Sequence, residues 1–139
     1  MRKIRIIAVG KIKEKYFLAA ASEYIKRLRP FTTIEIIELK DSNISKESAL
    51  IEKHITPNTF LLDEKGVEYT SLAFSKLIKN NETITFIIGG SDGVDQKIKN
   101  QCQTIALSPM TFVHEMCRVF LLEQIYRAHM ILANKTYHK

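Results

Sequence analysis

The residues of this chain best suited to chemistry fall in its last third. They are the turn Gly89-Gly90-Ser91-Asp92-Gly93, the run Leu107-Ser108-Pro109-Met110-Thr111-Phe112, and a later series of His114, Arg118, Glu123, Gln124, Arg127, Tyr137 and His138. Glycines at the end of an apolar run let a ligand approach the backbone closely. A helix that begins just after Pro109 would turn its unpaired N–H groups toward such a ligand. Charged side chains within an otherwise apolar helix are costly unless they are paired or used. Together these features suggest a small-molecule site beside a polar seam.

Each feature also has a plain structural explanation. The glycines fit a tight strand-to-helix turn as well as a ligand contact. Thr111 could simply cap the following helix. Glu123 and Arg127 stand four apart in the favourable order for a helix-surface ion pair, and His114 and Arg118 share a face. A salt-bridged seam between two subunits would account for all four. The terminal Tyr137-His138-Lys139 would ordinarily fray. Known nucleotide motifs do not fit. The glycine spacing is GGxxG rather than GxGxxG, no acidic residue follows at the ribose distance, and no GxxxxGK[ST] occurs.

Composition narrows the class. A chain of 139 residues, 45% apolar and 26% charged, fits one ordinary globular domain that needs no disulfide or metal to build a core. Cys102 and Cys117 sit in apolar contexts and form no CxxC pair, and His54, His114, His129 and His138 lack ligand spacing, so no metal is expected. No apolar run is long enough to span a membrane. Met1-Arg2-Lys3 followed by Ile4-Arg5-Ile6-Ile7 is too short and too charged for a leader, so a cytoplasmic location is expected. The net charge of +6 is concentrated early, among Arg2, Lys3, Arg5, Lys11, Lys13, Lys15, Lys26, Arg27 and Arg29. Such a face suits a polyanion, or is merely a solvated helix surface.

The elements that must position these groups alternate from start to end. Strands are expected at Ile4 to Val9, Thr33 to Leu39, Thr59 to Asp63, Thr83 to Ile88 and Thr104 to Leu107. Helices are expected at Glu14 to Leu28, Ser45 to His54, Ser71 to Ile78 with Thr70 as cap, Val94 to Cys102, and Phe112 to Leu132. Glu64-Lys65-Gly66 reads as a turn. This alternation implies an α/β domain with a parallel sheet covered on both faces, with ligands beyond the carboxyl ends of the strands. The last helix is apolar on every side around Val119-Phe120-Leu121-Leu122. One sheet cannot cover all of that, and a symmetric partner chain is the expected second surface.

A family resemblance runs through nearly the whole chain. Ala8-Val9-Gly10-Lys11 with Glu14-Lys15-Tyr16, then Ile87-Ile88-Gly89-Gly90-Ser91-Asp92-Gly93, Met110-Thr111-Phe112, His114, Arg118-Val119, Glu123-Gln124, Tyr126-Arg127-Ala128 and Tyr137-His138-Lys139 resemble the small SPOUT-class methyltransferases of the RlmH type. The resemblance implies an α/β fold with a C-terminal trefoil knot, a homodimer, and S-adenosylmethionine as methyl donor. General topology rules alone would give an unknotted chain. The implied reaction is methylation of N3 of a pseudouridine in 23S large-subunit rRNA, within the ribosome. Leu62, Gly89, Gly90 and the stretch Leu107, Ser108, Pro109, Met110, Thr111 and Phe112 would hold the cofactor. The chain departs from the family pattern at Val113, where proline is usual, and in a shorter region around Asp41 to Pro57 and before Met110.

This reaction gives the polar residues roles. A uracil N3 becomes a good nucleophile only as its proton leaves, so a base, or a cation facing the developing anion, is needed. His138 is the expected base, since imidazole as a side-chain type titrates near neutrality. Arg127 or Arg118 would face the anion or a phosphate, and Tyr137 would stack on the base. The competing readings are a non-catalytic RNA-binding module, a SPOUT enzyme acting on tRNA, and a nicotinamide-dependent enzyme.

Overall fold

The computed structural model describes residues 1–139. Its elements, in chain order, are β1 (Arg2–Val9), α1 (Lys15–Leu28), β2 (Thr32–Leu39), α2 (Ile44–Glu52), β3 (Thr59–Glu68), α3 (Ser71–Lys79), β4 (Thr83–Ile88), α4 (Gln96–Gln101), β5 (Gln103–Ala106) and α5 (His114–Leu132). The strands form one sheet in the order β2-β1-β4-β3-β5, with every pairing parallel. Parallel neighbours need a crossover, and helices supply it here, so both faces of the sheet are covered.

The central strands read as near-continuous apolar runs because both of their faces are buried. On one face Ile4, Ile6, Ile84, Phe86 and Ile88 pack with Leu28 of α1, Phe74 and Ile78 of α3, and Leu121, Leu122 and Ile125 of α5. On the other, Ile7, Val9, Leu61 and Ile87 pack with Ile51 of α2 and Ile98 of α4. α5 packs against both α1 and α3. This placement largely explains the all-round apolar character that the sequence assigned to a partner chain. Much of that second surface comes from within the chain. Apolar groups near the start of α5 still reach solvent, notably Met110, Val113 and Phe120.

Element types follow the sequence, and the differences lie at boundaries. Thr70 does cap α3, accepting from the Ala73 N–H at 3.0 Å. α4 is shorter than expected because the Asp95 side chain caps it, accepting from the Ile98 N–H at 3.0 Å. The expected Glu64-Lys65-Gly66 turn does not end β3. The strand makes an excursion between Leu62 and Val67 and then resumes pairing with β5. A Cβ on Gly66 would lie 2.7 Å from the Ile105 backbone nitrogen, so only glycine lets the excursion close so tightly on β5. α5 begins at His114 rather than Phe112, and no side chain caps it. Thr111 bonds elsewhere, as described below.

His129, near the C-terminal end of α5, is a buried exception to polar pairing. Its Nδ1 donates to the Ile125 carbonyl at 2.9 Å, while its Nε2 is buried without a partner. Burial pushes its pKa below the ordinary imidazole value, and the Arg2 charge acts in the same direction. The folded chain therefore holds this ring neutral to lower pH than the unfolded chain does. Stability is complete above the ordinary imidazole range and is lost as pH falls through it toward the lowered value. Replacing His129 with leucine is expected to flatten this acid-side loss. Urea midpoints measured at pH 7.5 and pH 5.5 would show it, and equal slopes in the two proteins would refute it.

Candidate active site

An apolar cleft of about 430 Å³ opens at the tips of β3 and β5, between α3 and α5. Its volume lies within the range of small-molecule sites, and its place beyond the carboxyl ends of parallel strands is the usual one. Leu62, Leu107, Phe74, Phe112, Phe120 and Leu121 supply much of the apolar wall. Phe112 and Phe120 meet edge-on at 5.1 Å and stiffen one side. Glu123 and Gln124 bring the polar seam of α5 to the cleft, and Gln124 is fixed by the Ser71 hydroxyl, which donates to its side-chain oxygen at 2.8 Å.

Of the residues expected to hold a cofactor, Leu62, Leu107 and Phe112 line this cleft. Ser108 and Thr111 shape the loop instead. The Ser108 hydroxyl accepts from the Met110 N–H at 3.0 Å, and the Thr111 hydroxyl donates to Glu64 at 2.6 Å. Thr111 therefore ties the loop to the β3 excursion and does not cap α5. Pro109 lies in the same loop, and the Met110 side chain is largely in solvent. Gly89 and Gly90 do not line the apolar cleft. Gly90 faces a second, polar cleft of about 180 Å³ at the tips of β1 and β4, shared with Asp41, Ser42, Glu47, Asp92 and His114. The start of α5 divides the two clefts, with Phe112 on one side and His114 on the other.

Arg118 and Arg127 do different things. Arg118 is 4% exposed, and its guanidinium donates to Glu38 at 2.6 Å and to the Gly10 carbonyl at 3.0 Å. It pins α5 to the tips of β1 and β2, and two of its nitrogens are committed there. His114 and Arg118, which share a helix face, do not bond to each other; the Arg118 partners are Glu38 and Gly10. Nearby, Glu115 accepts from the Lys13 and Glu14 N–H groups at 2.7 and 3.1 Å. These two bonds hold its pKa below the usual carboxylate range.

Arg127 lies nine residues further on, roughly 13 Å along the helix. It donates to Glu123 at 2.9 Å, as the spacing predicted, and to His138 Nδ1 at 3.0 Å. Its guanidinium also sits over the Tyr137 ring at 4.8 Å. Tyr137 meets Tyr126 edge-on at 4.8 Å. The terminal residues are thus folded back on α5 rather than frayed. Burial pushes the Tyr137 hydroxyl up to about 12, with Tyr24 and the Glu123 charge adding to it. A guanidinium only donates, so His138 Nδ1 must accept, and in the neutral ring the proton sits on Nε2. In this arrangement His138 offers a hydrogen-bond donor. Action as a base requires release from Arg127. Tyr137, expected to stack on a nucleobase, here packs against the chain's own Arg127 and Tyr126.

Comparison with known proteins decides the family. The profile described as "Predicted SPOUT methyltransferase" matches residues 2–138. The chain belongs to the SPOUT methyltransferase family. The parallel sheet and its five helices are consistent with that fold. A relative from Clostridium botulinum (strain Hall), named ribosomal RNA large subunit methyltransferase H, is 46% identical over 157 aligned positions, covering 98% of this chain and 99% of its own. One of the same name from Ruminiclostridium cellulolyticum is 46% identical over 158, covering 99% of each. Both alignments are longer than the 139 residues here, so this SPOUT chain carries internal deletions relative to them.

Sequence reasoning missed Glu38, Glu47 and Glu115. Each sits in an ordinary-looking stretch, and only the fold brings it to the strand tips. The Arg118 tie yields a direct prediction. Arg118→Met keeps the bulk but leaves Glu38 and the Gly10 carbonyl unpaired. With Glu38 partly solvated, a loss of about 2–3 kcal/mol is expected by chemical denaturation. A change under about 0.5 kcal/mol would show that the tie is idle. For Tyr137, a folded pKa above the ordinary phenol value means stability present below pH 10 and lost from there toward 12. Tyr137→Phe should remove the latest tyrosinate step in an ultraviolet absorbance titration.

Proposed function

We propose that this chain methylates N3 of a pseudouridine in 23S large-subunit rRNA, with S-adenosylmethionine as donor. The observation that carries the proposal is the apolar cleft at the strand tips, joined through Glu123 to the Arg127–His138–Tyr137 cluster. The names borne by the relatives support the rRNA substrate. Family membership supports a trefoil-knotted homodimer working on the ribosome in the cytoplasm. No helix is long and apolar enough to cross a membrane.

The residues present fit the cofactor. The cleft combines an apolar wall for an adenine with the carboxylate of Glu123, complementary to a cation, and Leu107 and Phe112 at the two ends of the loop border it. Leu62, Leu107 and Phe112 would hold it there, with Ser108 to Thr111 completing the loop, while Gly89 and Gly90, which the family pattern would add, stand outside this cleft. S-adenosylmethionine supplies an electrophilic methyl on a sulfonium. The chain's own task is to orient the base and manage one proton, and alignment supplies much of the rate. The Arg127 guanidinium and the His138 Nε2–H would stabilise the oxygen anion that forms as N3 loses its proton. If His138 parts from Arg127 when RNA binds, its freed Nδ1 becomes the base. The basic residues of β1 and α1 would contact phosphates.

The test is mass spectrometry of 23S rRNA from a strain lacking the gene, before and after incubation with the purified chain and S-adenosylmethionine. A missing methyl on a pseudouridine, restored by the protein, is expected. Unchanged rRNA, or methylation of tRNA instead, would refute the proposal. His138→Ala should lower turnover about a hundredfold with cofactor affinity unchanged by calorimetry. Full activity would strip His138 of its role.

A further inference from the structure

We infer that Glu123 distinguishes the methyl donor, whose sulfur is cationic, from the product, whose sulfur is neutral, so that the apolar cleft holds S-adenosylmethionine and releases S-adenosylhomocysteine. The inference rests on the methyltransferase reading above and names the side chain that would set which of the two stays bound.

Glu123 is the one charged residue that lines the apolar cleft. Its carboxylate shares that lining with Leu62, Phe74, Phe112 and Phe120, and its side chain is only 17% exposed. A charge acts more strongly across such a wall than across water. Its two oxygens are used unequally. Oε1 accepts from Arg127 Nε at 2.9 Å. Oε2 receives only the Gln124 amide at 3.5 Å, too long for a full hydrogen bond. Gln124 is itself held through its side-chain oxygen by the Ser71 hydroxyl, which keeps the amide at that distance. The Arg127 guanidinium does not border the cleft. It lies over the Tyr137 ring and donates to His138. The cation that balances Glu123 is thus set back from the cleft, and Oε2 is left without a strong donor.

S-adenosylmethionine brings a cation to this cleft. Its ammonium and carboxylate cancel, which leaves the sulfonium as its net charge. Transfer passes the methyl to N3, the N3 proton leaves to the base, and the electron pair of the broken C–S bond stays on sulfur as a neutral thioether. A carboxylate in a poorly hydrated cleft favours a ligand that carries the opposite charge and gains nothing from one that does not. The attraction that holds the donor is therefore absent from the product. Product release, a step that often limits turnover, is eased without any movement of the chain.

Calorimetry with three ligands tests the assignment. They are S-adenosylmethionine, S-adenosylhomocysteine, and sinefungin, in which a carbon bearing a protonated amine takes the place of the methylated sulfur. Sinefungin has the cation without the methyl, so it separates charge from shape. Wild-type protein is expected to bind both cations at least about tenfold more tightly than S-adenosylhomocysteine. Glu123→Gln keeps the shape, and its amide oxygen can still accept from Arg127. The variant should lose about tenfold in affinity for both cations, while S-adenosylhomocysteine changes by less than about twofold. A merely structural role would weaken all three ligands alike, and that result overturns the inference. So does a wild-type chain that binds S-adenosylhomocysteine as tightly as the cations, or one that groups sinefungin with S-adenosylhomocysteine. Neither of these results needs a variant, so the inference stays open to refutation even if Glu123→Gln fails to fold. A wild-type chain that binds none of the three overturns the methyltransferase reading and this inference with it.

Discussion

The contact between Arg118 and the tips of β1 and β2 organises this molecule. A guanidinium taken almost fully out of water must recover its hydration, and it does so against Glu38 and the Gly10 carbonyl. That requirement fixes how far α5 stands above the sheet and how it is rotated. The rotation sends Phe112 and Phe120 to one side and His114 to the other. Glu115, bonded to the backbone at the entry to α1, secures the same end of the helix. The two clefts therefore share one wall, and its position is set by electrostatics rather than by packing alone.

The far end of α5 follows different rules. There the helix meets the returning tail, and cation and aromatic groups alternate. Arg27 lies over Tyr24 and Tyr126 at 5.6 and 5.7 Å, and Arg127 lies over Tyr137. Such contacts are individually modest and more easily exchanged than a buried ion pair. The tail is thus ordered, yet held by interactions that a nucleic acid could replace with its own bases and phosphates.

Much of this was legible in the sequence. The strand–helix alternation gave element types because parallel strands buried on both faces leave long apolar runs. Thr83 to Ile88 was read to the residue, since Ile84, Phe86, Ile87 and Ile88 are apolar and buried and the two threonines are β-branched. The ion pair of Glu123 with Arg127 was legible because it is local. The role of Arg118 was not, because its partners lie 80 and 108 positions away. Glu47 was invisible because its burial comes partly from Gly90, far off in the chain, and nothing in its own helix marks it as buried. The Glu64-Lys65-Gly66 excursion resembles a turn in composition, and only the return to pairing with β5 reveals a continuing strand. Thr111 had the right chemistry for a cap, but Glu64 across the loop offered a charged acceptor.

The strand order bears on how the chain reaches its native state. β1 is made first yet lies between β2 and β4, with Ala8 aligned to Ile88 across the sheet. The helix that seals one face is made last. Early in synthesis the nascent chain holds one flank of this interior strand exposed, and the seal arrives only when nearly every residue has been joined. Such distant pairings make folding slow and leave the half-made product sticky. For a protein of this design, the interval before release is the period of greatest danger, and chaperones that shield bare apolar strands matter most then.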